Sequence, residues 1–110
     1  MRKRTIAVLL AVTVAAAVAA PALAVTKITG TVGPGFTISM KKPTKAGKYT
    51  LVVSDKSSIH NFHLKGPGVN VSTTVAFTGS KTFKITLKKG KYTYVCDPHA
   101  SVMKGSFTIK

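Results

Sequence analysis

Beyond residue 24 the chain is a series of short apolar segments rich in β-branched and aromatic residues, separated by Gly, Pro, Asn and Lys. No stretch there repeats apolar residues with the period of a helix, so the pattern indicates β-strands. In residues 82–87, Thr and Lys alternate with Phe, Ile and Leu, which is typical of a strand with one face on the core and the other in water. The predicted strands are 27–32, 36–40, 47–53, 59–64, 82–87, 91–96 and 104–109.

Seven short strands at this spacing predict an all-β domain built as a sandwich of two sheets. Loop residues separate the strands, as in Gly33-Pro34-Gly35 and Gly66-Pro67-Gly68. Residues 25–110 are enough for one compact domain and too few for two. The sequence therefore predicts that any function lies in this single domain.

The first 24 residues have the layout of a secretory signal peptide. Arg2, Lys3 and Arg4 precede an apolar run, and the small residues Ala22 and Ala24 end it, so cleavage after Ala24 is predicted. A retained membrane anchor is the alternative, but residues 6–20 are fewer than the roughly 20 that a spanning helix needs. We therefore expect an exported protein, periplasmic, extracellular or in the cell envelope, with no stable membrane insertion after cleavage.

Charge narrows the choice of partners. The predicted mature chain has 14 Lys against Asp55 and Asp97, a net charge of +12 with His neutral. The positive electrostatic field of such a chain favours an acidic partner. Nucleic acid is not expected, because the mature chain has no Arg, the residue best suited to bidentate base and phosphate contacts. Nothing in the sequence indicates oligomerisation, so a monomer is expected.

Cys96 is the one cysteine of the chain, so it cannot form an internal disulfide, and metal ligation is one way to occupy its thiolate. His99 and Met103 follow it closely. Electron-transfer copper is held by two imidazoles and one thiolate with a weak axial thioether, so one more His is needed. His60 and His63 are available, but alternation along the predicted strand 59–64 lets only one of them face the site.

The step His60-Asn61, followed by Cys96-x-x-His99-x-x-x-Met103, resembles the type 1 copper signature of the cupredoxins, in particular the plastocyanin, pseudoazurin and amicyanin branch. The resemblance implies a Greek-key β-sandwich with one type 1 copper at one end, and one-electron transfer between redox partner proteins rather than an enzyme activity. It also implies residue roles. The metal ligands would be His60, Cys96, His99 and, as the axial group, Met103, while Asn61 would tie the ligand loops together.

From this resemblance we expect electrons to pass through the exposed edge of His99. Its apolar rim would comprise Pro98, Ala100, Val102 and the two Gly-Pro-Gly turns, with lysines around it that attract an acidic partner. Met40 is a weaker rival for the axial position and is expected in the core. His63 is expected to be structural or at the surface.

Four other interpretations use the same residues or the same charge. A copper carrier or scavenger would bind copper through the same four ligands without a redox partner. Zinc would take His60, His63, Cys96 and His99. A thiol enzyme would use Cys96 with His99 as its base. A cationic binding module would use the lysines alone, although their scatter over most turns is more typical of a solvated basic surface.

Overall fold

The computed structural model describes residues 24–110. The predicted leader, residues 1–24, lies outside this range except for Ala24. Eight strands and one short 3₁₀ turn make up the regular structure of the described residues. In chain order they are β1 (Thr26–Val32), β2 (Ile38–Met40), β3 (Gly47–Asp55), β4 (His63–Gly66), β5 (Val69–Ser72), β6 (Gly79–Leu87), β7 (Gly90–Val95), the 3₁₀ turn Asp97–His99 and β8 (Lys104–Ile109).

The strands form two four-stranded sheets in the orders β2-β1-β3-β6 and β5-β4-β7-β8. Only the pair β1 and β3 is parallel, and the other pairs are antiparallel. The chain passes from one sheet to the other after β3, after β5 and again after β6, which produces a Greek-key sandwich. The predicted fold class is confirmed.

Alternation along the strands builds the core between the sheets. On β3, Tyr49, Leu51 and Val53 are buried while the residues between them face outward. Two stacked aromatic pairs fill the layer between the sheets, with ring centroids 5.2 Å apart for Tyr92 and Phe107 and 5.9 Å apart for Phe62 and Tyr94. Each fully buried side chain of this size contributes about 1.5–3 kcal/mol of transfer free energy.

Glycine provides the room for these rings. A Cβ at Gly66 would collide with the Tyr92 ring, and a Cβ at Gly105 would collide with the Tyr94 ring. Tyr94 and Gly105 are register partners on β7 and β8, so the ring lies across the backbone of the neighbouring strand. These two positions therefore require glycine for space rather than for backbone conformation.

Two details of the strand prediction are wrong. Residues 59–62 are not in a strand, because their backbone bonds go to loops: Asn61 N donates to Cys96 Sγ and Phe62 N to Thr73 Oγ1. Strand β5 was not predicted, because its sequence Val-Asn-Val-Ser is short and half polar. It pairs with β4 through a tight turn at 67–68, where the sequence predicted only a loop.

The sandwich has two distinct ends. At one end, which we call the histidine end, loops 33–37, 56–62, 73–78 and 96–103 meet, and Asn61 bonds to both Thr73 and Asp97. At the other, the lysine end, segments 41–46, 67–68, 88–89 and residue 110 meet. There Lys110 N donates to Thr44 O, and the Tyr92 hydroxyl accepts from Lys88 N and donates to Pro67 O.

Candidate metal centre

Three donor atoms converge at the histidine end. His60 Nδ1 and His99 Nδ1 are 3.1 Å apart, and Cys96 Sγ lies 3.7 Å from the first and 3.6 Å from the second. A circle through three atoms with these separations has a radius of about 2.0 Å, so one point in their plane is that far from all three. Protein nitrogen and sulfur ligands lie at roughly 2.0–2.3 Å from a first-row metal such as zinc. The spacing of the donors therefore fits one metal ion.

The loop after β7 carries two of these donors in a closed set of backbone bonds. His99 N donates to Cys96 O at 3.0 Å, Met103 N to His99 O at 2.8 Å, and Cys96 N to Met103 O at 3.0 Å. Pro98 lies in the first turn of the 3₁₀ segment, where its fixed φ suits helical geometry. The short loop thus fixes the directions of Cys96 and His99 together.

Met103 ends the same loop with a fully buried side chain. Its backbone bonds join it to both Cys96 and His99, so it belongs to the same loop structure as these two donors. Met40, the rival considered from the sequence, is the last residue of β2 and packs, half-buried, against the core. The rival thus belongs to the core, as expected.

Asn61 joins the His60 loop to the Cys96 loop. Its Oδ1 accepts from Asp97 N at 2.7 Å, and its Nδ2 donates to Asp97 Oδ2 at 2.8 Å and to Thr73 O at 3.3 Å. Its backbone N–H donates to Cys96 Sγ at 3.4 Å, which leaves the sulfur less exposed to other donors. The tie between ligand loops that the resemblance implied for Asn61 is confirmed.

His63 lies on β4, outside the convergent set. Its Nδ1 is 3.0 Å from both carboxylate oxygens of Asp97, and its Nε2 is 2.6 Å from Asn70 Oδ1. The zinc interpretation needed His63 beside Cys96, and the structure places it instead against the outer side of Asp97. The sequence predicted a structural or surface position for His63, and the structure adds that its ring holds Asp97.

Asp97 and Asp55 have opposite titration behaviour. Burial alone would raise the pKa of Asp97, but the hydrogen bonds from Asn61 and His63 outweigh it and lower that pKa. Asp55 is almost fully buried, and burial raises its pKa despite a hydrogen bond from Ser57 N. Both carboxylates lie at the histidine end, one at the end of β3 and one beside Cys96.

Phe36 contacts two of the donor residues, and the sequence prediction missed it. Its ring meets His60 edge-on at 5.2 Å and His99 at 5.0 Å between centroids, yet 60% of the residue is exposed. The sequence placed Phe36 in a strand, whereas it lies in the loop before β2. A single apolar residue beside a Gly-Pro-Gly turn was the only signal available.

The apolar rim around His99 differs from the one predicted. Exposed Pro98, Ala100 and Val102 border it in the ligand loop, and Gly33 approaches the His60 ring, as predicted. Residues 66–68 lie instead at the lysine end, where Gly68 faces Lys88, so they are not part of the rim. Phe36 takes the place that the second Gly-Pro-Gly turn was expected to fill.

The lysines do not surround the site. All 14 are exposed, and eight of them lie at or next to the lysine end. They are Lys41, Lys42, Lys45, Lys48, Lys88, Lys89, Lys91 and Lys110. Lys27, Lys65 and Lys84 lie midway along the strands, and the charge of Lys65 helps to lower the pKa of Asp97. Lys56, Lys81 and Lys104 lie toward the histidine end.

Two imidazoles, a thiolate and a buried thioether from the same loop, at one end of a Greek-key sandwich, form an arrangement typical of a type 1 copper site. Fold and site together define the class of the cupredoxins. The sequence profile of the copper binding proteins of the plastocyanin/azurin family matches residues 44–110, a stretch that contains all four of these residues. The chain belongs to this family.

Solved structures share the fold at low sequence identity. Reduced rusticyanin is 23% identical over 76% of this chain and 78% of its own, with a TM-score of 0.58. Reduced auracyanin from Roseiflexus castenholzii is 19% identical over 79% and 98%, with a TM-score of 0.56. Auracyanin A from Chloroflexus aurantiacus, described as a "blue" copper protein, is 17% identical over 79% and 100%, with a TM-score of 0.53.

A search of curated protein sequences returned no match to the chain. The structural matches show the cupredoxin fold, and the branch within the family stays a prediction from the sequence.

Proposed function

We propose that this protein binds one copper ion through His60 Nδ1, Cys96 Sγ and His99 Nδ1, with Met103 as a weaker fourth ligand, and carries single electrons between redox partners. The observation that carries the proposal is the triangle of three donor atoms around one point at metal-ligand distance. Two nitrogens, one thiolate and a thioether are also the donors that suit copper in electron transfer.

Bound copper supplies a centre that accepts one electron and releases it again. The residues of the chain keep that centre in one geometry. His60 and Cys96 are fully buried, so water is kept from them, and the bonds of Asn61 to both loops hold the donors in place. Because these positions are fixed by the protein, little rearrangement is expected when the electron arrives or leaves.

His99 is the route proposed for the electron. It is the one donor of the three that is only half-buried, and exposed apolar residues border it. A redox partner protein would dock on this rim, covering Phe36, Pro98 and Val102. The positive field of the whole domain favours an acidic partner, although few lysines lie close to the rim.

We further propose that the protein is exported through its leader and acts as a monomer in the periplasm, the cell envelope or the medium. Among residues 24–110, no helix is long and apolar enough to cross a bilayer. A thiol enzyme is disfavoured, because the Cys96 side chain is completely buried and offers a substrate no access.

Direct voltammetry of the copper-loaded protein tests electron transfer against copper carriage. Electron transfer predicts a reversible one-electron wave and fast exchange between oxidised and reduced protein. Carriage predicts very tight Cu(I) binding and handover of the metal to a second copper-binding protein, without a reversible wave. Met103→Leu serves as the matched variant, because an axial ligand sets the potential, and we expect the wave to persist at a raised potential.

A further inference from the structure

The charge of this protein is strongly polarised along the sandwich. Eight of the 14 lysines lie at or next to the lysine end and three lie toward the histidine end, whereas both aspartates, Asp55 and Asp97, lie at the histidine end. The lysine end therefore carries no side-chain carboxylate of its own. The metal centre and the cationic surface occupy opposite ends of the domain.

These lysines form no ion pair with another side chain of the described residues. Within residues 24–110 the one ion pair joins His63 to Asp97, and no lysine takes part. All eight side chains are exposed. Concentrating like charges on one end costs stability through mutual repulsion, so a fold that needed only solubility would be expected to spread them.

The form of the lysine end fits a flat, fluid anionic surface. Its lysines come from several separate turns and strand ends around the whole end, not from the walls of one groove. In residues 24–110 it has neither Arg nor an exposed aromatic side chain, the groups that recognise planar or stacked ligands. Lysine is a point charge on a flexible stem and needs no fixed geometry in its partner.

Charge complementarity identifies the partner. Anionic headgroups attract clustered lysines close to a bilayer, at about 1 kcal/mol for each lysine near the surface.

We propose that the lysine end binds the anionic headgroups of a lipid bilayer, so that the protein is held at a membrane surface with its histidine end facing away. Strand β6 has nine residues, and at about 3.3 Å per residue it separates the two ends by roughly 25 Å. In that orientation the His99 rim remains free for a redox partner while the protein stays close to the membrane.

Two matched variants test the proposal, and both remove four positive charges. The first replaces Lys42, Lys45, Lys88 and Lys89 of the lysine end by Gln, and the control replaces Lys56, Lys81, Lys84 and Lys104 by Gln. The copper-loaded protein, in the form in which cells produce it, is sedimented with vesicles of phosphatidylcholine alone or with 30 mol% phosphatidylglycerol, in about 0.1 M salt. Neutral vesicles measure any binding by the leader.

We expect binding to phosphatidylglycerol vesicles only, about 600-fold weaker in the lysine-end variant and less than about fivefold weaker in the control, since each of the four lysines near such a surface strengthens binding about fivefold. Equal losses in both variants would overturn the proposal, because binding would then follow net charge alone. Absence of vesicle binding, with lysine-end-dependent binding to soluble polyglutamate, would also overturn it and identify an acidic polypeptide as the partner.

Orientation gives an independent readout. If the histidine end faces away from the membrane, vesicle-bound protein should be reduced by a soluble protein donor within about twofold of the rate in solution. A loss of more than tenfold on vesicles, with binding intact, would place the histidine end against the lipid and contradict the proposal.

Discussion

Asn61 and Asp97 are the residues on which the rigidity of the ligand set depends. One amide side chain and one carboxylate connect three segments, since Asn61 bonds to Asp97 and Thr73, and His63 supports Asp97 from outside. Hydrogen bonds to a charged group are worth more than neutral ones, about 1.5–3 kcal/mol when shielded from water. The Asp97 side chain is about half exposed to solvent, so its hydrogen bonds contribute less than this to stability.

The lowered pKa of Asp97 predicts a loss of stability in acid. A carboxyl with a depressed folded pKa stabilises the fold above its unfolded pKa of about 3.9, and this contribution disappears as pH falls through the folded value. In Asp97→Asn the contribution is absent at every pH. Urea unfolding of copper-free protein at pH 7 and pH 2.5 should therefore show a smaller acid loss for the variant, by under about 1 kcal/mol.

Copper-free protein is the right material for that measurement, since metal ligation by His and Cys depends on pH in its own right. Identical acid losses in Asp97→Asn and the unaltered protein would show that the carboxylate is not held by Asn61 and His63 in its charged form.

Phe36 should influence the metal more than the fold. It is 60% exposed, so Phe36→Ala should change stability by less than about 1 kcal/mol. Its ring covers edges of His60 and His99, and its loss would admit water, which favours the more highly charged Cu(II). We expect a lower reduction potential by voltammetry. Val52→Ala, a half-buried apolar change on the outer face of β3, should leave the potential unchanged.

At the scale of elements, rigid strands deliver the ligands but loops carry them. Cys96 follows β7, Met103 precedes β8, and His60 lies in the long connection between β3 and β4. The connection crosses from one sheet to the other, so the Greek-key topology itself brings a histidine from one loop to a cysteine 36 residues later. Side chains at such loop junctions can evolve without disturbing the core.

The substitution Gly105→Ala tests how closely the side chains pack against the sheet β5-β4-β7-β8. An added Cβ would collide with the Tyr94 ring, which stacks on Phe62 in the core, so the ring cannot move freely away. We expect Gly105→Ala to cost about 1–3 kcal/mol in chemical unfolding. Ser106→Ala, the exposed neighbour on β8, should cost less than about 0.5 kcal/mol. Equal effects would mean that the close approach does not constrain the fold.

The sequence predicted strands best where alternation was regular. Residues 82–87 lie within β6 because Phe, Ile and Leu alternate with polar residues there. Residues 59–64 were placed in a strand because they form a short segment with β-branched and aromatic residues, yet the backbone of Asn61 and Phe62 bonds to Cys96 and Thr73 instead of a neighbouring strand. Such contacts are distant in sequence, and no local pattern reveals them.

For the site, residue chemistry was more informative than periodicity. The unpaired Cys96 beside His99 and Met103 indicated a metal site. The adjacent pair His60-Asn61, which resembles the cupredoxin signature, identified His60 as the second imidazole ligand. Phe36 and the support of Asp97 by His63 were not predictable, since both depend on how separate loops meet. The concentration of lysines at one end was not predictable either, because the lysines are scattered in sequence and are brought together only by the topology.

At the scale of the whole molecule, the crowded positive end should make stability depend on salt. Screening reduces repulsion between like charges, so the melting temperature of the copper-loaded protein should rise by about 4 °C between 0.01 and 0.5 M salt. The variant with Gln at 42, 45, 88 and 89 should show about half that rise or less. The variant with Gln at 56, 81, 84 and 104 should stay closer to the unaltered protein. A reversed order would contradict the charge distribution described above.

The most direct test of the account is a visible absorption and electron paramagnetic resonance spectrum of the protein with Cu(II), beside Cys96→Ser and His63→Gln. The account predicts an intense blue thiolate-to-copper band with narrow copper hyperfine splitting, retained in His63→Gln and lost in Cys96→Ser. A folded, copper-binding protein without that band, or a band that survives Cys96→Ser, would contradict the central claim that His60, Cys96 and His99 hold a type 1 copper.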